Sequence, residues 1–257
     1  MNTLEKPNNI KPLITVVTIC YNAVDTIEET IKSVIEQTYP NIEYIVIDGG
    51  SKDGTVDIIK KYQDKISYWV SEPDKGIYDA MNKGTMKANG RWINFMNSGD
   101  VFYNNHILED VFSNNIDNAD VIYGSVMLDK KGKEVEVRPG RFDEFWKGSR
   151  FCQQSAFIST ELHKKHPYDL QYKIAADFNF FYNIYKENKV FLFVDLVVSK
   201  ISLGGLSDVG RIYLFQEILK IIDKKDKNKA LFHFIKEGIK GVILSRGKIL
   251  TYYLFGK

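Results

Sequence analysis

The chain has 257 residues, 44% of them apolar and 26% charged, which suits one large domain or a core domain with additions and a globular protein without disorder beyond the ends. No run reaches the roughly 18 apolar residues of a spanning helix, and the first dozen residues lack the apolar core of a secretory signal. The net charge of +2 conceals an asymmetry: positions 224–257 hold nine Lys/Arg against two acids, a net of +7 against −5 for the rest, which suits an anionic partner.

Leu13 to Ile19 is continuously apolar and rich in β-branched residues, which predicts a strand covered on both faces. Asp25 and Glu28 read as a capping box for a helix with Ile27, Ile31, Val34 and Ile35 on one face and Tyr39-Pro40 as its stop. The alternation then repeats. A strand near 43–47 precedes a helix near 54–64 with Asp53 in the cap role, a strand near 67–70 precedes a helix near 76–88, Gly90 acts as terminator, and a strand follows near 91–96. Strands alternating with helices predict an α/β fold with a single doubly wound, mostly parallel, Rossmann-like sheet.

Beyond Asp100 the pattern changes. Residues 120–128 and 133–138 read as a hairpin around the turn 129–132, followed by a helix over about 175–187 and a strand over 190–200. His163 and His166 read as surface positions. Segments 209–222 and 228–246 are amphipathic, with Phe232, Ile235, Ile239, Val242 and Ile243 on one face of the second. That face suits packing on the core or lying on an anionic membrane with equal merit. Cys20 and Cys152 form neither a metal-site spacing nor a disulfide framework, which predicts a reducing, cytosolic location.

Three carboxylates, Asp48, Asp74 and Asp100, stand behind apolar runs at intervals of 26 residues, about one strand plus one crossover helix. Parallel strands would bring all three to one edge of the sheet, where open α/β folds bind ligands. Four polar clusters fall at those strand ends: TICYN, IDGGSKDGT, EPDKGIYDAMNKG and NSGD. In this order and spacing they resemble the nucleotide-sugar half of family 2 glycosyltransferases, as found in bacterial enzymes of the colanic acid, O-antigen and capsule type. The resemblance covers about residues 13–103 and extends less closely to about 207.

The resemblance implies a GT-A fold over 1–223, with a nucleotide-sugar half at 13–103, a smaller, partly antiparallel acceptor half at 104–207, and a basic helical segment at 224–257. It also implies that Tyr21 contacts the uracil or other base and that Asp48 accepts hydrogen bonds from base or ribose. The plain alternative for Asp48 is a turn-forming aspartate. Asp74 and Lys75 would meet base and diphosphate, although Lys75 also suits an ordinary charged loop. Asn97 and Asp100 belong to the cluster that carries the family's metal motif. Asp100 takes its last position and would ligate Mn2+ or Mg2+ together with diphosphate oxygens. Ser98 and Gly99 stand where the family has its earlier carboxylates, which predicts weak or substrate-dependent metal binding.

The catalytic base in the family is an acid at the start of a helix in the second half, and Asp177 in AADFNFF fits; a helix N-cap is the plain alternative. Gln153 and Gln154 correspond to an acceptor-side segment, with buried strand positions as the alternative. Gly204 and Gly205 would form a loop over the diphosphate, with Arg211 neutralising charge.

The activity implied is that of an inverting glycosyltransferase using a UDP-linked sugar and a glycan or polyprenyl-linked acceptor in surface polysaccharide synthesis, on the inner face of the cell membrane. A non-catalytic nucleotide- or glycan-binding module and a sugar-1-phosphate nucleotidyltransferase are the rivals. The latter needs a Gly-rich, Arg-containing loop where the chain has Cys20-Tyr21-Asn22-Ala23. No nucleic-acid motif accompanies the basic segment.

Overall fold

The computed structural model describes residues 11–113, 116–130, 132–202 and 211–244, with backbone alone at 130, 211 and 237–244. Strands β1 (Ile14–Cys20), β2 (Ile42–Asp48), β3 (Tyr68–Ser71), β4 (Trp92–Phe95), β5 (Val101–Phe102), β6 (Val121–Lys130), β7 (Lys133–Val137), β8 (Ala156–Ser159) and β9 (Phe191–Ile201) form one sheet. Its order is β3-β2-β1-β4-β8-β6-β9-β5, with β7 on the side of β6.

β3, β2, β1 and β4 are mutually parallel, and β8 joins β4 antiparallel. Beyond that junction β6 runs antiparallel to β7 and β8 but parallel to β9. The chain is thus doubly wound in its first half and mixed in its second, as the switch from crossover units to a hairpin predicts.

Side chains alternate between the two faces. Val17, Ile19, Ile45, Ile47 and Phe95 enter one core, with Tyr78 and Met81 from α3 (Ile77–Lys87) and Phe178, Phe180 and Phe181 from α6 (Ala176–Lys186). Ile14, Val16, Tyr44, Val46 and Trp92 enter the other, under α1 (Ile27–Ile35), α2 (Thr55–Lys61) and α4 (Ile107–Phe112). Each fully buried aliphatic side chain contributes about 1.5–3 kcal/mol, so these two layers fix which strand ends share an edge. Gly90 does more than end a helix, because a Cβ there would lie 2.6 Å from the Thr15 backbone nitrogen and 2.8 Å from the Leu13 carbonyl oxygen.

Two local expectations are corrected here. Asp25 and Glu28 do not cap α1, which begins after Thr26 without a side-chain cap bond. Glu28 instead accepts from Lys61 at 2.6 Å and Tyr62 at 2.5 Å, joining α1 to α2. His163, in α5 (Thr160–Lys165), is 0% exposed and packed against the rings of Phe95, Tyr168 and Phe180. Its Nδ1 lies 3.1 Å from Thr85 Oγ1, and burial pushes its pKa down to about 3.

The two amphipathic segments form α7 (Arg211–Ile221) and α8 (Lys224–Leu244). Among the described side chains of α8, Ala230 and Phe234 pack inward, with Phe234 stacked on Phe215 at 4.3 Å, while the side chains of Ile239, Val242 and Ile243 lie outside the described residues. Phe232, expected on the apolar face, is 72% exposed, and Leu231 and Ile235 accompany it. No helix among the described residues is long and apolar enough to cross a membrane.

Candidate active site

The carboxyl ends of β1, β2, β3 and β4 come together as four loops, and hydrogen bonds between them set the shape of the site. The loop after β1 is laced to the loop after β2: Asn22 N donates to Ser51 Oγ at 2.7 Å, and Lys52 N donates to Asn22 Oδ1 at 3.0 Å. Asp53 holds both sides, accepting from Val24 N at 3.0 Å and from the Thr55 hydroxyl at 2.6 Å. It therefore anchors the start of α2 from the position before the cap, which is Gly54 and not the expected Asp53.

Asp48 is 0% exposed. Its carboxylate accepts from Gly50 N at 3.1 Å, Ser51 N at 2.9 Å, the Ser71 hydroxyl at 2.6 Å and the Ser51 hydroxyl. Burial acts to raise its pKa, but the donors from Ser51 and Ser71 overcome this and hold it below the usual carboxylate range. These bonds are the ones the turn-forming alternative expects: an anion that builds the loop. The neighbouring Cys20 thiol is pushed well above its ordinary range by burial and by Asp48.

Tyr21 and Asp74 converge over Gly49. The ring of Tyr21 is 65% exposed. A Cβ on Gly49 would lie 2.6 Å from Asp74 Oδ2 and 3.2 Å from Tyr21 Cδ2, so only glycine leaves the two side chains in place. Asp74 Oδ1 accepts from Gly76 N at 2.8 Å, and Asp79 Oδ2 from Lys75 N at 3.0 Å, so the turn into α3 is held from its own sequence. Lys83 ties this loop down through Glu72 at 2.8 Å and the Pro73 carbonyl at 3.1 Å. Lys75 itself is exposed and borders a small cleft with Tyr78, Tyr172 and Lys173.

The turn 97–100 is clamped from three sides. Ser98 N donates to Ile19 O at 3.0 Å, Gly99 N to Thr30 Oγ1 at 3.0 Å, and the Thr30 hydroxyl to Asp100 O at 2.8 Å. Gly99 has φ +94°, a left-handed conformation that explains glycine at a position where the related motif has an acid. Ser98 Oγ lies 2.9 Å from Thr26 Oγ1. Asp100 is 7% exposed, accepts from Gln154 Nε2 at 2.8 Å and from Ser202 N at 3.1 Å, and burial raises its pKa to about 6.

Among the described residues no three His, Cys, Asp or Glu cluster as a metal cage. The turn nevertheless offers oxygen donors suited to a hard cation: the Asp100 carboxylate and the Asn97 Oδ1, which is buried without a partner among the described residues. This set fits a cation that is also held by a bound diphosphate, and does not fit one held by protein alone.

The two glutamines are placed differently from the acceptor-side expectation. Gln153 is buried, with its amide nitrogen 2.5 Å from Tyr168 Oη and 3.5 Å from Met81 Sδ, while Gln154 turns to Asp100. Gly204 and Gly205 lie outside the described residues, as does the side chain of Arg211, the first residue of α7.

Asp177 stands in the first turn of α6, part-buried. Its Oδ1 accepts from Tyr78 Oη at 2.8 Å. Burial raises its pKa, opposed by the Tyr78 donor and supported by the charge of Glu217. The plain N-cap alternative does not apply, since the cap residue is Ala175 and has no side-chain bond. Tyr78 and Glu217 escaped the sequence reading. Tyr78 lies inside EPDKGIYDAMNKG and had a signal in that motif, whereas Glu217 had none.

A family model for glycosyl transferase family 2 matches residues 15–186. An uncharacterized glycosyltransferase of Mycobacterium tuberculosis is 36% identical over 176 residues, 66% of this chain and 67% of its own length. TuaG of Bacillus subtilis, provisionally named a teichuronic acid biosynthesis glycosyltransferase, is 41% identical over 95 residues, 36% of this chain and 38% of its own length. Two solved structures share the architecture over 95% of this chain. TarS of S. aureus with UDP-GlcNAc has a TM-score of 0.68 at 19% identity, covering 76% of that chain. The mannosyltransferase PcManGT of Pyrobaculum calidifontis with GDP-Man and Mn2+ has a TM-score of 0.64 at 17% identity, covering 67% of that chain. The fold is therefore GT-A, and the chain belongs to glycosyl transferase family 2.

Proposed function

We propose that this chain is an inverting glycosyltransferase that moves a sugar from a UDP-linked donor to a hydroxyl of a glycan or polyprenyl-linked oligosaccharide during bacterial surface polysaccharide synthesis. The observation that carries the reading is Asp177, a part-buried carboxylate with a raised pKa at the mouth of a helix beside the donor-side α3. A raised pKa suits a base that works near neutral pH.

In this mechanism the Asp177 carboxylate removes the proton of the acceptor hydroxyl. The hydroxyl oxygen bonds to the anomeric carbon from the face opposite the diphosphate, the bond from that carbon to the diphosphate oxygen breaks, and the configuration inverts. Tyr21 stacks on the base and Asp74 accepts a hydrogen bond from base or ribose, in the space that Gly49 leaves open. Lys75 faces the diphosphate. Asp48 acts by shaping the loop between them. Asp100 and Asn97 would hold Mn2+ or Mg2+ together with the diphosphate, and the ion supplies charge neutralisation of the leaving nucleotide.

The exposed Leu231, Phe232 and Ile235 on α8, with Lys225 and Lys236 nearby in sequence, would rest on an anionic membrane surface at the inner face of the cell membrane, where a polyprenyl-linked acceptor resides.

The test is Asp177→Asn, assayed for UDP release from a panel of UDP-sugars with a polyprenyl-linked acceptor, alongside UDP titration. Turnover should fall by about 10²- to 10⁴-fold with UDP affinity retained. Unchanged turnover would remove Asp177 from the mechanism, and nucleotide binding without any turnover in the unaltered protein would favour a binding module.

A further inference from the structure

We propose that Glu217 is a positioning residue for Asp177, fixing from a different helix the entry of the helix that presents the base. The inference rests on the reading of Asp177 as the base. Glu217 lies in α7, about forty residues downstream of Asp177, yet its side chain reaches the segment that leads into α6. Glu217 Oε1 accepts from Lys173 N at 2.8 Å. Glu217 Oε2 accepts from Ile174 N at 3.0 Å and from Ala175 N at 2.9 Å.

Three successive backbone donors on one carboxylate leave this stretch little freedom, and they end at the cap residue of α6, two positions before Asp177. A charged acceptor makes such bonds about twice as strong as neutral ones. The cap residue Ala175 has no side-chain cap bond of its own, so the segment leading into the helix that carries Asp177 is held from another helix. The opposite side of the same junction is held by Tyr78, whose hydroxyl lies 2.8 Å from both the Ile174 carbonyl and Asp177 Oδ1.

The two contacts divide the work. Tyr78 touches the carboxylate itself, and Glu217 touches only the backbone that carries it. Glu217 brings a second negative charge towards Asp177 and so favours its protonated form, in the direction that burial also acts. Among the described residues, Tyr78 from α3 and Tyr168 from the loop before α6 also face Asp177, and burial keeps both phenols neutral. Burial is the main cause of the raised Asp177 pKa, and Glu217 acts in the same direction as a smaller contribution. The placement also explains why α7 packs against α6 instead of projecting from the domain: Ile218 and Ile222 enter the same core as Phe178 and Tyr182.

The experiment compares Glu217→Gln, Glu217→Ala and Glu217→Asp with Asp177→Asn, each as full chain, reading kcat, donor KM, UDP affinity, thermal midpoint and the pH profile of kcat. Glu217→Ala should lower kcat about 10- to 100-fold, the loss expected for a misplaced reactive group, with UDP affinity and donor KM within about twofold. Glu217→Gln keeps an acceptor for Ile174 and Ala175 but loses the charge. It should retain more activity than the alanine variant and move the acidic limb of the profile to lower pH. Glu217→Asp, which keeps the charge on a shorter stem, should leave that limb in place. An unchanged acidic limb in Glu217→Gln, or a Glu217→Ala variant with lowered thermal midpoint but unchanged kcat, would overturn the proposal and leave Glu217 a structural cap. If Asp177→Asn keeps full turnover, it is the base assignment that fails, which the Glu217 variants alone would not reveal.

Discussion

Tyr78 donates its hydroxyl proton towards Asp177 Oδ1 at 2.8 Å, joining the helix behind the donor loop to the helix that presents the proposed base. The two residues are 99 positions apart in sequence, and the same hydroxyl lies 2.8 Å from the Ile174 carbonyl. A donor stabilises the ionised carboxylate, and here it opposes the burial that raises Asp177.

Tyr78→Phe removes that donor and leaves the ring. The pKa of Asp177 should rise further, so the acidic limb of the kcat profile moves to higher pH and activity on the acidic side falls most. The stability cost should be about 1 kcal/mol, the net value of one hydrogen bond. A pH series of turnover with a denaturant titration measures both, and an acidic limb that stays in place would show that Tyr78 does not act on the base.

Gly49→Ala places a methyl group 2.6 Å from Asp74 Oδ2 and 3.2 Å from the Tyr21 ring. The end of a side chain can yield where backbone cannot, so the fold should persist with a thermal midpoint near that of the unaltered chain. UDP affinity should fall about tenfold, the equivalent of 1.4 kcal/mol. Titration calorimetry with UDP is the check, and undiminished affinity would move the base pocket away from Tyr21 and Asp74.

Asp100→Asn removes the carboxylate of the turn proposed to hold the metal while keeping its size. The response of UDP affinity to added Mn2+ should disappear, whereas affinity in the presence of a chelator should stay within about twofold, because the base contacts lie on other loops. UDP titrations with and without Mn2+ read this directly. A Mn2+ response equal in both proteins would exclude Asp100 as a ligand.

His163 is held neutral by burial, with its pKa pushed down to about 3 from 6.5. The unfolded chain therefore binds a proton that the folded chain refuses, and stability is lost as pH falls below about 6.5, by at most about 1.4 kcal/mol per unit from this group. Urea unfolding between pH 7.5 and 5 should show a shallower loss in His163→Gln than in the unaltered chain. Equal slopes would mean that His163 becomes protonated without unfolding.

The sequence by itself determined the alternation of strands and helices, the four strand-end clusters, the hairpin in the second half and the family. Each of these follows from local periodicity or from order along the chain. Tyr21, Asp74 and Asp100 were legible for the same reason: strand ends of a parallel sheet fall on one edge, so spacing predicts neighbourhood.

Only the tertiary structure decided what each polar group spends its hydrogen bonds on. Asp48 and Asp74 look alike as acids behind strands, but Ser51 and Ser71 enclose the first, while the second stands beside Tyr21. Gln154 could not be paired with Asp100 from sequence, since 54 residues separate them. His163 looked like a surface residue because a helix of six residues gives too few turns to reveal a buried face. Glu217 carried no signal at all. Its role arises where two helices of one core meet, and backbone donors, which every residue possesses, leave no mark in the sequence of the segment they hold.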